Sequence, residues 1–185
     1  MQRLEAEEIR DSLLAVSGWL DPRLGGKTLP LRNKEFVFNH TSKDHTTYES
    51  PRRALYVPII RNHLYDMLEQ FDYPDPTMCT GSRNSTVVAP QALIMMNSPV
   101  AMNAADKLSD KLLAASGLSE VQRIDLAYMT VYARHPWEEE SSRAENYLTS
   151  LRQSLGISGR EDVQRKTWSL FCQTLMAANE FIYVR

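Results

Sequence analysis

A chain of 185 residues has room for one domain with a full hydrophobic core, or for one domain with an extension. Its 43% hydrophobic and 24% charged residues exclude disorder as the default state, and a formal net charge of −2 excludes a global basic field for nucleic acid. The longest uncharged apolar run, roughly 87–100, is too short and too polar for a membrane span.

Residues 3–17 predict an amphipathic helix, with Leu4, Ile9, Leu13 and Val16 at helical spacing, acids in the early turns and Gly18 as the stop. It reads as a helix rather than a signal peptide, which predicts either a cytoplasmic protein or a piece of a longer one. Residues 19–50 carry Gly-Gly, two prolines and many polar side chains; they predict a long irregular loop in which only EFVFNH is strand-like. Ala54 to Val57 is a short β-type run ended by Pro58. Residues 61–72 predict a short helix with Leu64, Met67, Leu68 and Phe71 on one face.

From Pro90 onward the pattern is helical. A first helix is interrupted at Ser98-Pro99, where Ser98 caps and Pro99 opens the next. Helices follow over 99–116, over 119–134 with the capping box Ser119/Gln122, from Pro136 to Leu155, and over 161–179. FIYV near the end predicts a docked apolar tail. The Leu93, Ile94, Met95, Met96 run reads as core. The whole is a mainly α protein: a helical bundle over 93–185, and over 1–92 a helix plus a long irregular excursion with one or two short strands.

Chemistry-bearing residues concentrate between 52 and 84. Arg52, Arg53, Arg61 and Arg83, with His63 and Asn84, are candidates for an anion-binding pocket, because guanidinium forks bind carboxylates, sulfates and phosphates bidentately. The competing expectation is internal pairing with Glu49, Asp66, Glu69, Asp72 and Asp75, or the tying of a loop through backbone carbonyls. Asp72 and Asp75 bracket Tyr73-Pro74; two carboxylates can run glycoside hydrolysis, but Asp beside proline is also a turn former. His40 and His45 share a loop with Asp44 and Glu49 without a metal-binding spacing, and His135 reads as structural. No CxxCH, HExxH, GxSxG or glycine-rich phosphate loop is present, so this chain attaches no haem and is expected to hold no metal or other cofactor. Cys79 and Cys172 leave a disulfide open. Asn84-Ser85-Thr86 and Asn39-His40-Thr41 match the glycosylation acceptor pattern.

Five stretches in order, RLEAEEIRDSLLAVSGWLD, RRALYVPIIRNHLYDMLEQFDYPDP, GSRNSTVVAPQALIMMNSP, ARHPWEEE and CQTLMAANEFIYV, resemble the C-terminal part of a planctomycete-type domain of unknown function. The resemblance implies a fragment of a larger domain in exported, periplasmic multidomain proteins, where a cytochrome-c-like module brings the haem and the other domains are the partners. It implies no activity. Three readings follow: a non-catalytic interaction or scaffold module clamped by Arg83 and Asn84; a module binding anionic or polyhydroxylated ligands such as glycans, with Trp19, Tyr48, Tyr56 or Tyr73 stacking on sugar faces; and a glycan hydrolase using Asp72 or Asp75 with His63. None involves nucleic acid or a membrane span.

Overall fold

The computed structural model describes residues 1–26, 28, 50–59, 64–156 and 160–184. Among them the order is β1 (Gln2–Arg3), α1 (Ala6–Val16), a 3₁₀ turn (Ala54–Tyr56), α2 (Asp66–Gln70), α3 (Ala89–Asn97), α4 (Pro99–Ala114), α5 (Glu120–Tyr132), α6 (Glu138–Leu155), α7 (Arg160–Met176), α8 (Asn179–Ile182) and β2 (Tyr183–Val184). The fold is mainly α, with one two-stranded antiparallel pair in the register Gln2↔Val184 and Arg3↔Tyr183.

The core is built around α4 and α7, the most extensively packed helix pair. Ala101, Ala104 and Ala105 on α4 are small enough for a close approach, and Trp168, Phe171 and Cys172 of α7 lie buried in the same cluster. α6 covers α7, α5 closes against α6, and α1 lies on α4 and α2. The α1 stripe is fully covered, Ile9, Leu13 and Leu14 all being at 0% exposure. One buried cluster runs from Ala6 to Ile182, so the two ends of the chain share a core.

Local chemistry sets most boundaries. Ser98 separates α3 from α4 in extended backbone and accepts from the Ala101 N–H at 3.4 Å. Ser119 and Gln122 form the reciprocal capping box, at 2.9 and 3.2 Å. Gly18, at φ 73°, supplies the left-handed residue that ends α1.

Five expectations change. Among the described residues the short helix expected over 61–72 is formed over Asp66–Gln70, with Leu64 in the chain before it and Phe71 at its C-cap. α1 starts at Ala6 rather than residue 3, because residues 2–3 pair with 183–184 and Glu5 takes the N-cap, its N–H bonded to the Glu8 carboxylate at 2.9 Å. Residues 54–56 form a 3₁₀ turn instead of a strand, the Val57 N–H closing back on the Ala54 carbonyl at 2.9 Å. The last helix breaks at Ala177-Ala178, which frees Phe181 and Ile182 to dock separately. Leu93 is 58% and Met96 53% exposed while Met95 is 2% exposed, since Leu93 and Met96, three residues apart, share the helix face that turns away from the core. EFVFNH, His40, His45 and Tyr48 lie outside the described residues, as do Arg61 and His63.

Candidate functional site

The described parts of the irregular first half, near Gly25 and over residues 50–54, are held by arginines acting in series. Arg10, on the buried face of α1 at 1% exposure, donates to the Ser50 carbonyl at 2.5 Å and to the Arg52 carbonyl at 2.8 Å. Arg52 then donates to the carbonyls of Arg23 (2.7 Å) and Gly25 (2.5 Å), with its guanidinium 4.7 Å from the Tyr56 ring centroid. Asp21 sits beside it, bridged to residue 52 through its backbone and bonded to Arg23; those bonds hold its carboxyl down at about 2. Arg53 faces Asp11 at 3.8 Å, and Asp11 also accepts from the Ala54 N–H at 2.7 Å. A guanidinium suits this work because its planar fork reaches two carbonyls at once and never deprotonates.

The loop from Phe71 to Gln91 is tied down as closely. Asp72 takes a left-handed φ of 62°, which Asp tolerates better than most residues. Its carboxylate accepts from the Thr86 N–H and hydroxyl at 2.8 and 2.9 Å and from Arg3 at 2.8 Å. Burial pushes this carboxyl up, but the Thr86 and Arg3 bonds outweigh it and leave it below its usual value. Arg3 also donates to the Thr86 carbonyl. Asp75 accepts from the Thr77 hydroxyl and N–H at 2.7 and 2.8 Å, an Asx turn that lowers its carboxyl. Gln91, 4% exposed, donates to the carbonyls of Gln70 (2.9 Å) and Thr86 (3.1 Å). Arg83 forms a two-pronged pair with Glu7 at 2.7 and 2.8 Å, reaches Glu5 at 2.8 Å, and lies over the Tyr73 ring at 5.3 Å.

Among the described residues the expected site residues do not form one group: Asp72, Arg83 and Asn84 line a common cleft, while Arg52 and Arg53 lie beside the 3₁₀ turn and Asp75 in its own turn. Arg52 faces carbonyls of the chain near Gly25, Arg53 faces Asp11, and Arg83 faces the acids of α1. Arg83 is anchored to Glu5 and Glu7 and bonds no described residue of the irregular loop, and Asn84 is exposed, lining a cleft of about 400 Å³ with Arg3, Asp72 and Arg83. Asp72 and Asp75 each close a separate turn. Cys79 is exposed and Cys172 buried, both as free thiols, and burial pushes the Cys172 thiol well above its ordinary value. Among the described residues no three His, Cys, Asp or Glu side chains are grouped as metal ligands.

Three structural residues escape sequence reasoning. Arg3 and Arg10 sit among acids on a helical pattern and read as solvated; nothing in the spacing shows that they turn inward. Arg134 lies within ARHPWEEE without any local sign of its role. It uses every N–H it has: Nε and Nη2 to Glu180 (2.6 and 2.7 Å), Nη1 and Nη2 to Glu140 (2.7 and 2.8 Å), and Nη1 to the His135 carbonyl (3.0 Å). Its guanidinium stands 4.7 Å from the Trp137 ring centroid, 5.5 Å from Tyr128 and 5.6 Å from Tyr132. Ala133 precedes it in a left-handed conformation, φ 56°, where a side chain costs about 1 kcal/mol; the five bonds of Arg134 hold that reversal and join α5, α6 and α8. Beside it opens a cleft of about 760 Å³ walled by Trp137, Tyr132, Phe181, Tyr183, Val87 and Val184.

These features define a helical module whose irregular parts are clamped to a helical core by internal arginine bonds. The family described as PSD1: Protein of unknown function (DUF1553) matches residues 1–148, and the chain belongs to it. No curated protein and no solved structure matches the chain. No helix among the described residues is long and apolar enough to cross a membrane.

Proposed function

We propose that the chain is a non-catalytic interaction module of a larger exported protein, whose other domains are its partners. The observation that carries this reading is the engagement of its charged groups: Asp72, Asp75, Arg52 and Arg83 are each hydrogen-bonded within the fold, Arg53 faces Asp11 at 3.8 Å, and the two aspartates serve different turns. Acid–base chemistry needs two titratable groups facing one reacting atom, and an anion site needs unengaged donors that converge. Among the described residues, which do not include Arg61 and His63, neither the hydrolase reading nor the arginine-lined ligand reading draws support from this geometry. A panel of chromogenic glycosides and phosphoesters tests the assignment: no turnover above buffer is expected, and turnover that disappears in Asp72→Asn or Asp75→Asn overturns it.

A further inference from the structure

We propose that the outer face of α3 is the two-fold contact of a homodimer, covered by α3 of a second copy of this chain running antiparallel to it. The inference goes beyond the interaction-module reading, since the partner it names is the chain itself. α3 carries no charged residue, and of its nine residues only Gln91 and Asn97 are polar. A helix that is apolar on all sides is normally covered on all sides. This one is covered on one: Gln91 and Met95 are buried, whereas Ala89, Ala92, Leu93 and Met96 are exposed. Those four stand at i, i+3, i+4 and i+7, the spacing of a helix-packing stripe. The uncharged stretch outruns the helix, since no charged residue occurs between Arg83 and Asp106.

The stripe is complementary to its own copy. Along the helix its members run small, small, large, large. An antiparallel two-fold through the midpoint sets Ala89 of each copy against Met96 of the other, and brings Leu93 beside its own counterpart at the axis. Small residues opposite large ones let facing helices interdigitate; a parallel pair would set Met96 on Met96 and leave a gap between the alanines. Charge points the same way. Complementary charge is what steers a surface to a different partner, and two identical faces meet without like-sign opposition only where they carry none. A lipid surface is a poorer match, because interfacial helices flank their apolar face with Lys and Arg, and α3 has neither. Asn97, beside the stripe, already donates to the Leu93 carbonyl at 2.9 Å, so that donor stays partnered when the face is covered. A stable dimer covers about 800 Å² on each partner, more than one nine-residue helix presents. The contact therefore runs on into the adjoining groove of about 610 Å³ between α2 and α3, lined by Tyr65, Met67, Pro90, Ile94 and Pro99. The charged residue of that groove, Asp66, is exposed in the first turn of α2 and falls to the hydrated rim.

Sedimentation velocity on the full chain, from micromolar to millimolar concentration, should show a saturable monomer–dimer equilibrium that varies little with added salt, as an uncharged contact requires. Leu93→Glu opposes two carboxylates at the axis and should weaken the dimer about tenfold or more. Leu93→Lys should do the same. Mixed in equal amounts, the two variants should pair with each other more tightly than either does with itself, a result that needs position 93 to face its own counterpart. Ala89→Glu, a favourable residue in a first helical turn, should also weaken the dimer, and reads the same contact if the position 93 variants lose helicity by circular dichroism. Leu126→Glu, at an exposed position of α5, should leave the dimer unchanged. A monomer throughout, a dimer unmoved by Leu93→Glu and Ala89→Glu, folded charge variants that fail to pair when mixed, or a dimer broken by Leu126→Glu alone overturns the proposal. So does flotation of a monomeric chain with neutral phosphatidylcholine vesicles, which gives the face to lipid instead. None of these outcomes bears on the turnover assay or the reading it tests.

Discussion

Arg10 and Arg83 carry the same group, but Arg10 is buried and Arg83 is reached by solvent, so their removal should have unequal consequences. Arg10→Met deletes the donor to two buried carbonyls and leaves them without partners; urea denaturation should show a loss of about 3 kcal/mol. Arg83 is 35% exposed and its pair with Glu7 is reached by solvent, so Arg83→Ala should cost no more than about 1 kcal/mol, a difference that shrinks as salt is added. The sequence makes Arg83 the conspicuous residue, because it stands in a loop among turn formers. Arg10 is inconspicuous, because on a helix flanked by Glu8 and Asp11 it reads as one member of a charged face. The difference is the direction of the side chain, which depends on tertiary neighbours forty residues away in the chain. Asp75 was legible as a turn residue for the opposite reason, its bonds to Thr77 lying two residues away, whereas the partners of Asp72, Thr86 and Arg3, are distant in the chain.

At the level of elements, the junction of α5, α6 and α8 depends on ionised carboxylates. The Arg134 bonds hold Glu140 below its ordinary value, burial opposing them and the Trp137 N–H adding to them. A carboxyl lowered on folding contributes stability that is full above the unfolded value of about 4.3 and is lost as pH falls through the folded one. Wild-type melting temperature should therefore drop more steeply below about pH 4 than that of Glu140→Gln, and the two curves should run closer to parallel above about pH 5. The helices themselves were readable because their signals are short-range: Ser119 with Gln122, Ser98 before Pro99, and Gly18 mark ends by chemistry within four residues. Ala54–Tyr56 was not, since a three-residue apolar run satisfies strand and turn equally and is decided by the Asp11 carboxylate that fixes the Ala54 N–H. The β1–β2 pair was invisible for a related reason: two-residue strands have no period, and their partners lie at opposite ends of the chain.

Across the whole molecule, stability centres on the α4–α7 contact and the side chains that fill it. Trp168 is fully buried, edge-on to Phe171 with centroids 5.6 Å apart, under the Arg123 guanidinium. Trp168→Ala should cost about 4 kcal/mol in chemical denaturation, as a large cavity in a core shared by both ends of the chain. Near-ultraviolet circular dichroism and far-ultraviolet helicity should still be lost together, because one cluster connects every long helix. The mainly helical class follows from the 3.6-residue periodicity of the second half, where apolar stripes are long enough to read. In the first half only the α1 stripe, which packs on α4, is legible in this way; the ties between α1 and residues 50–52 are guanidinium-to-carbonyl bonds that leave no periodic trace.

Arg10 and Arg52 act in series, but the segment they share is held from other sides as well. Arg10 holds the backbone at Ser50 and Arg52, and Arg52 reaches on to Arg23 and Gly25. The Asp21 N–H on the Pro51 carbonyl and the Ala54 N–H on the Asp11 carboxylate, both at 2.7 Å, fix the same stretch without Arg10. Losing Arg52 therefore releases the link to Gly25 outright, whereas losing Arg10 removes one tie of several and leaves the register of residues 50–54 to the others.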